Sequence, residues 1–331
     1  MMAYLDLDSF LCMYMVQSVL HAVITLFLVE MSLKIWEIQD PRECFRYRLH
    51  ILVLPLLMFP LFQLVNPNRG SLYFIEDTAI FSSFRWLSIL LWGKIPFYVL
   101  FICIMVLTSL LTIVQEIMTI LRNIFNTSSE EIILDKEEPR VSSVISEISK
   151  IMNIKKPAVH IVNDNYNFIY TRGIKDNDII ISDSFIKKIS KGELRSVLAH
   201  ECAHIVRRSS LINLVVFFVR MLMFYNPVSM IVFRRMIQDD ELICDEMTVS
   251  ITKDPKSLSS ALKAFYSDIP EAYAFDFSTL KDTVANSSHN LLLEERISRL
   301  ENREILKPSA FQWGGLTLLR VAVCMICYLV V

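Results

Sequence analysis

The stretch SVLAHECAHIVRRSS, residues 196–210, places two histidines four residues apart, with a glutamate beside the first. At 100° per residue of an α-helix, His200 and His204 lie about 40° apart, one turn above the other on the same face. Glu201 lies on the neighbouring flank, within reach of whatever the two imidazoles bind. Zinc takes a tetrahedral set of nitrogen, oxygen or sulfur ligands, and a catalytic site keeps one position for water. The spacing therefore predicts a metal-binding helix with a carboxylate base, against the alternative of a helix that carries two histidines by chance.

A second stretch, RRMIQDDELICDEMTVSI at residues 234–251, supplies candidates for a third ligand. Its pattern predicts a helix on which Glu241 and Asp245, four residues apart, share a face. One carboxylate can complete a zinc site, and a second one turn further on can hold the other N–H of a histidine. Three neighbouring acids compete for these roles, although periodicity alone predicts a solvated acidic face for Asp239, Asp240 and Glu246.

Taken together, the two stretches resemble the membrane-bound gluzincin peptidases. The order H-E-x-x-H, hydrophobic stretch, E-x-x-C-D is similar to that of antirepressor-type metallopeptidases of the BlaR/MecR sensor-transducer kind. The HtpX and CAAX prenyl endopeptidases are more distant. The resemblance is strong over residues 140–300. In the membrane segments, only the arrangement of apolar stretches along the chain is similar. The positions that match the wider pattern are Arg207, Arg208, Tyr225, Asn226, Pro227, Glu241, Cys244 and Asp245.

This resemblance implies a role for each residue of the site. It implies one Zn²⁺ per chain, bound by His200, His204 and Glu241. Glu201 is then expected to be the general base, and Asp245 the carboxylate that orients a ligand.

Other roles stay open at the level of sequence. Tyr225 and Arg235 are candidates for a donor that stabilises the oxyanion. Arg296 either fixes the acidic helix by ion pairing or lies on the surface. The family usually has Asp after the arginine pair, whereas this chain has Ser209, which puts any role of that acid in doubt.

The composition is not that of an ordinary soluble domain. The chain has 331 residues, of which 53% are hydrophobic, and a mean hydropathy of +0.44. A net charge of −2 gives no electrostatic case for nucleic acid as a partner. The cysteine count is odd, at seven, which argues against a disulfide framework and fits a reducing compartment or lipid. The expected partners are therefore a protein or peptide substrate and the lipid bilayer, with a homodimer left open.

Three apolar runs predict membrane spans, and a fourth is interrupted. Residues 10–29 and 97–114 carry no formal charge and are long enough to cross the hydrocarbon core, whereas residues 51–65 are fewer and include two prolines. A fourth run begins near Phe311 but contains Arg320. Either the chain stops inside this last span, or the final helix is short and interfacial.

The loops predict the orientation in the membrane. Four basic residues lie between positions 34 and 48, whereas Arg69 and Arg85 are the only basic residues in 66–86. The positive-inside rule then places the first loop in the cytoplasm and the N-terminus outside. After the third span, the H-E-x-x-H domain is also cytoplasmic.

The hydrophobic stretch 211–233 cannot be a simple span. If it crossed the bilayer once, His204 and Glu241 would lie on opposite sides, and two crossings need about forty residues. We therefore expect a hairpin that turns at Asn226 and Pro227. This hairpin places the active site at, or just below, the cytoplasmic surface of the membrane.

The segment before the metal-binding helix predicts a small β-sheet. Residues 158–162, 167–171 and 178–182 read as strands, separated by Asn- and Asp-rich turns. An edge strand can pair with an extended substrate through main-chain hydrogen bonds, and residues 168–171 or 178–182 are the candidates. Ser190 and Glu193 predict a capping box at the start of the metal-binding helix.

These features predict an α+β integral membrane protein, mostly helical, with three to four transmembrane helices. Its cytoplasmic zincin-like domain contains a small β-sheet and the H-E-x-x-H helix. The expected domains are a membrane domain at 1–122, a peptidase domain at 123–307 with a membrane-associated hairpin at 211–233, and a C-terminal membrane helix at 308–331.

The expected function is that of a zinc-dependent endopeptidase at the cytoplasmic face of the cell membrane. The alternative is a sensor protease that inactivates a transcriptional repressor, with its extracellular sensor domain missing from this chain.

Overall fold

A computed structural model describes residues 10–80, 82, 85–86, 88–91, 93–126, 133–134, 138–164, 167–173, 177–266, 293–302 and 312–331. The chain forms two compact units. The first comprises Met1–Thr127, Val215–Asp239 and Leu306–Val331, and the second comprises Ser128–Leu214 and Asp240–Ile305.

In chain order, the helices are α1 (Phe10–Ile35), α2 (Pro41–Val65), α3 (Leu72–Asp77), α4 (Phe97–Asn126), α5 (Pro139–Ile151), α6 (Asp183–Lys188), α7 (Lys191–Arg207), α8 (Ser209–Leu222), α9 (Pro227–Thr252), α10 (Pro255–Tyr266), α11 (293–302) and α12 (Gln312–Tyr328). The strands are β1 (Leu90–Leu91), β2 (Ile95–Pro96), β3 (Ile133–Leu134), β4 (Val159–Val162), β5 (Ile169–Arg172) and β6 (Asp178–Ser182).

The first unit contains the long apolar helices. α1, α2 and the Phe97–Glu116 part of α4 are long and apolar enough to cross a bilayer, and α12 is a shorter apolar helix. This confirms the prediction of a mostly helical α+β membrane protein. α2 begins before the span predicted from residue 51, because Asp40 caps its N-terminus by accepting the N–H of Arg42, and Pro41 fills the first helical position.

The predicted hairpin is formed by α8, a short turn and α9. Asn226 is fully buried, and its side-chain oxygen accepts the N–H of Val228 at 3.0 Å. Pro227 occupies the first position of α9, where its missing N–H costs no hydrogen bond. The turn thus lies where the sequence predicted it, and the helix predicted over 234–251 begins earlier. Residues 215–239 group with the membrane helices, whereas the linear scheme assigned all of them to the peptidase domain at 123–307; those domain boundaries stay predictions.

The second unit contains a four-stranded sheet in the order β3-β4-β6-β5. β6 pairs in parallel with β4 and antiparallel with β5. Ile179 and Ile181 of β6 are fully buried, with Phe185 and Leu198, in the core between the sheet and the helices. Because both edges of β6 are already paired, the proposal of residues 178–182 as a substrate-binding edge strand is wrong. Among the described residues, β5, which includes most of the other candidate stretch, is the last strand of the sheet.

Candidate metal centre

Helix α7 is fixed at both ends. At its start, the Ser190 hydroxyl accepts the Glu193 N–H and the Glu193 carboxylate accepts the Ser190 N–H, which is the predicted capping box. At its end, Arg208 adopts a left-handed conformation with φ of 56°, so the helix stops and α8 begins. Leu198 and Cys202 on its inner side are fully buried. The helix therefore presents its two histidines from a rigid, packed element.

Three side chains that could hold a metal ion meet where α7 faces α9. The Nε2 atoms of His200 and His204 lie 3.2 Å apart. One oxygen of Glu241 lies 3.3 Å from His200 Nε2, and its other oxygen lies 3.5 Å from His204 Nε2. The structure thus brings together the three residues that the resemblance implied as ligands.

These distances fit a tetrahedral ion. Ligands 2.0–2.1 Å from a zinc ion at tetrahedral angles are separated from one another by about 3.3–3.4 Å. The two Nε2 atoms are 3.2 Å apart, and they lie 3.3 and 3.5 Å from different oxygens of Glu241, so each pair of residues approaches at about that separation. Two imidazoles and one carboxylate are also a donor set that zinc accepts while keeping a position for water.

A carboxylate and an arginine lie behind the three donors. Asp245 Oδ1 lies 3.0 Å from His200 Nδ1, on the side of the ring away from Glu241. Arg296 donates to both oxygens of Asp245 at 2.7 Å, and its Nη1 lies 3.0 Å from Glu241 Oε2. The Arg296 side chain is only 11% exposed, so of its two alternatives the structure shows ion pairing with the acidic helix.

The electrostatics of this cluster favour a cation. Burial lowers the pKa of His200, but the carboxylates of Asp245 and Glu241 outweigh burial and raise that pKa to about 10. Burial raises the pKa of Asp245, but Arg296 and His200 outweigh burial and hold it below its usual range. For Glu241, burial likewise raises the pKa, and the opposing contributions of His200 and Arg296 bring it below the usual value. The same carboxylates that raise the pKa of the His200 imidazole would also attract a metal cation.

Glu201 faces a cavity of about 310 Å³ that the two histidines and Glu241 also line. Its carboxylate Oε2 accepts a hydrogen bond of 2.7 Å from the hydroxyl of Thr171 on β5. Apolar side chains from α6, α7 and α10 form another part of the wall, among them Phe185, Val197, Leu258 and Phe265. The cavity thus combines potential metal ligands, the Glu201 carboxylate and an apolar surface.

Residues 81–262, more than half of the chain, match the family described as BlaR1 peptidase M56. The chain belongs to this M56 family. The membership confirms the resemblance to membrane-bound metallopeptidases of the BlaR and HtpX type.

The M56 chain is also similar to several HtpX proteases. It is 27% identical over 101 residues to Protease HtpX homolog 2 of Methanosarcina mazei, which covers 30% of this chain and 34% of that protein. It is 30% identical over 77 residues to Protease HtpX of Legionella pneumophila, which covers 23% of this chain and 28% of that protein. It is 33% identical over 75 residues to Protease HtpX homolog of Halobacterium salinarum, which covers 22% of this chain and 26% of that protein. The matched region spans about a third or less of the length of these relatives.

A second group of potential ligands lies on the other side of His204 in the M56 chain. Its Nδ1 lies 3.3 Å from the Cys244 sulfur and 3.9 Å from Asp240 Oδ2. Burial raises the pKa of the Cys244 thiol, which keeps it protonated, and Asp240 is already hydrogen-bonded by Arg207. The Cys244 thiol and the Asp240 carboxylate are therefore better suited to holding the His204 imidazole in place than to binding a metal.

The predicted solvated acidic face is wrong for two of its three members. Asp239 and Asp240 are buried, at 3% and 0% exposed, and each is paired with an arginine. Arg48 donates to both oxygens of Asp239 at 2.6 and 2.7 Å, and Arg207 donates to Asp240. Paired charges can be buried where single ones cannot, and periodicity does not reveal partners distant in sequence. Glu246 is half-buried.

Tyr225 and Arg235, the candidates for oxyanion stabilisation, belong to the first compact unit. The Tyr225 hydroxyl is hydrogen-bonded to Ser18 at 2.8 Å, and Arg235 donates to Glu30 at 2.6 Å. Neither residue lines the cavity that contains Glu201. Both roles stay predictions; the hydrogen bonds of Tyr225 to Ser18 and of Arg235 to Glu30 join residues distant in sequence, which a local pattern could not reveal.

Ser209 and Thr171 are the remaining corrections to the expected site. Ser209, which stands where the family usually has Asp, is buried with its hydroxyl 3.9 Å from the Cys244 sulfur. Thr171 was expected only as part of the candidate substrate-binding stretch 168–171, and its hydrogen bond to Glu201 was missed because that contact joins residues 30 positions apart.

Proposed function

We propose that this M56 protein is a zinc-dependent endopeptidase and that His200, His204 and Glu241 bind one Zn²⁺ per chain. The observation that carries the proposal is the meeting of His200, His204 and Glu241, whose Nε2 atoms and two carboxylate oxygens approach from residue to residue at 3.2–3.5 Å, beside the Glu201 carboxylate in the same cavity. Membership of a peptidase family supports the same reaction class.

The side chains of this protein have separate tasks in the proposed reaction. When bound, Zn²⁺ supplies Lewis acidity, which lowers the pKa of a water molecule to about 7 and polarises the peptide carbonyl. Glu201 accepts the proton of the attacking water on its carboxylate and then delivers it to the departing amine. Asp245 holds His200 through Nδ1, which keeps Nε2 directed towards Glu241. Arg296 fixes Asp245 and Glu241 by its three short contacts.

The proposed substrate is an extended segment of a protein or peptide. β5 is the last strand of its sheet, and Ile169, Tyr170 and Thr171 of this strand line the cavity. A substrate strand added to this edge would form main-chain hydrogen bonds beside Glu201. The apolar part of the wall would then contact substrate side chains.

The proposed location is the cell membrane, with several spans, the N-terminus outside and the catalytic domain in the cytoplasm. The excess of basic residues between positions 34 and 48 supports this orientation. Reporter fusions test it: a fluorescent protein fused after Asn126 is expected to fluoresce, and periplasmic alkaline phosphatase at that point to be inactive. Active phosphatase there would contradict the proposed orientation.

A sensor-transducer role is the second candidate. The match to the family described as BlaR1 peptidase, together with the resemblance to sensor-transducer proteases, supports a protease that inactivates a transcriptional repressor, and the alternative is a protease that acts on many membrane proteins. Comparing the cellular proteomes of the wild type and Glu201→Gln separates the two. Accumulation of one DNA-binding repressor in the variant would support the sensor role, and accumulation of many membrane proteins would support broader proteolysis.

The substitution Glu201→Gln tests the reaction itself. Glutamine keeps the size of the side chain but cannot accept the proton, so we expect zinc to remain bound and peptide cleavage to fall by about 10²–10⁴-fold. His204→Ala, as the matched variant, is expected to lose both zinc and cleavage. Wild-type turnover by zinc-loaded Glu201→Gln would contradict the assignment of the base.

A further inference from the structure

Thr171 lies on the edge strand of the sheet and faces the metal-binding helix. Alternate residues of a strand point to the same side, so Thr171 shares its side with Ile169, which packs against the core of the second unit. The register of β5 on β6 pairs Thr171 with the fully buried Ile179. This pairing fixes the backbone from which the Thr171 hydroxyl projects.

The hydroxyl of Thr171 holds one oxygen of the Glu201 carboxylate. Thr171 Oγ1 donates to Glu201 Oε2 at 2.7 Å, a short distance typical of a hydrogen bond to a charged acceptor. Glu201 is only 7% exposed, so little water is available to replace this donor. A carboxylate held at Oε2 can turn only slightly, which leaves Oε1 in a defined position to exchange a proton.

We propose that Thr171 is a positioning residue for the general base, linking Glu201 to the strand on which the substrate would pair. The inference rests on the proposed function, because it assigns Thr171 a task in that reaction. A base must lie within hydrogen-bonding reach of the proton that it accepts, and small displacements of reacting groups cost large factors in rate. Glu201 is hydrogen-bonded to β5 through Thr171, and the substrate would pair with the main chain of β5. The position of β5 would therefore set the distance between the base and the scissile bond.

The role as a positioning residue predicts an effect on turnover rather than on metal binding. Thr171→Val keeps the shape of the side chain but removes the donor, whereas Thr171→Ser restores it. Thr248→Val is a control for the loss of a threonine hydroxyl, because Thr248 is buried and donates at 2.7 Å to a backbone carbonyl within α9, whereas Thr171 is partly buried and donates to a carboxylate. All variants are compared as the full chain in lipid nanodiscs.

Two measurements are made on these variants after zinc content has been determined. The first is kcat and KM for the best-cleaved member of a pool of internally quenched peptides. The second is the affinity for a peptidyl hydroxamate, whose binding depends on both the metal and the carboxylate base. We expect Thr171→Val to keep its zinc, lose at least about tenfold in kcat with KM changed less than about threefold, and bind the hydroxamate more weakly. Thr171→Ser and Thr248→Val are expected to stay within about threefold of the wild type.

The outcomes separate the inference from the proposed function. If the wild type and Glu201→Gln cleave equally, the proposed function fails. If only Glu201→Gln is inactive while Thr171→Val matches the wild type in kcat and in hydroxamate affinity, the role of Thr171 fails. Loss of zinc in Thr171→Val, or no rescue by Thr171→Ser, would assign Thr171 a structural role and overturn the inference. If no peptide is cleaved by the wild type, unchanged hydroxamate affinity in Thr171→Val would still overturn it.

Discussion

At the scale of residues, the helical period made the proposed ligands and their nearest support visible in the sequence. His200 and His204 share a face because they are four residues apart, and the same spacing aligns Glu241 with Asp245. The contacts of Thr171 could not be predicted, because the hydroxyl reaches Glu201 through a strand register that involves distant residues.

Asp245 is expected to matter for metal affinity rather than for the reaction itself. Its carboxylate lies 3.0 Å from His200 Nδ1 and accepts two hydrogen bonds from Arg296. Removing such an orienting partner typically costs about 10–100-fold in metal affinity. We expect that loss in Asp245→Asn, measured by competition with a fluorescent zinc chelator.

Asp254→Asn provides the control for this prediction. Asp254 is an exposed residue of the same unit, and its carboxylate accepts hydrogen bonds from the N–H and the hydroxyl of Ser257. Its substitution is expected to leave zinc affinity unchanged. Equal affinities for wild type and Asp245→Asn would show that Asp245 does not orient a ligand.

At the scale of elements, the turn between α8 and α9 reverses the chain direction and so allows Glu241 of α9 to meet the two histidines of α7. The sequence predicted this turn, since a stretch of that length cannot cross a bilayer twice and Asn-Pro is a turn signal. It did not show that the helix after the turn runs without a break from Pro227 through the acidic residues to Thr252. Hydrophobic periodicity is weak where a helix is apolar on most sides, so the start of α9 depends on its cap.

The cap of α9 gives a prediction about stability. Asn226 is buried and accepts the N–H of Val228, which has no partner within the first turn of the helix. Asn226→Ala is expected to lower the free energy of unfolding by about 1–2 kcal/mol. Thermal unfolding in detergent, followed by intrinsic fluorescence, measures the effect.

Asn302→Ala is the matched control for the cap. Asn302 lies at the exposed end of α11, where its amide donates to Ser298. We expect no more than about 0.5 kcal/mol from this surface substitution. A stability loss of the same size in both variants would contradict the special role of the Asn226 cap.

At the scale of the whole molecule, composition and charge predicted a multi-span α+β membrane protein, which the apolar helices confirm. The grouping of Val215–Asp239 with the membrane helices was not predictable from the linear sequence. Arg48 pairs with Asp239 across a separation of 191 residues, and such a pairing leaves no local pattern. α9 contributes Asp239 to one unit and Glu241 to the other.

The central claim is that α7 and α9, separated in sequence by the hairpin, supply two imidazoles and one carboxylate to a single ion. X-ray absorption at the zinc edge of the purified, zinc-loaded full chain tests it most directly. We predict a first shell of nitrogen and oxygen at about 2.0–2.1 Å, with two imidazole signatures, and the loss of this shell in a His200→Ala variant. A sulfur at about 2.3 Å would instead place the metal between His204, Asp240 and Cys244, and would contradict the account.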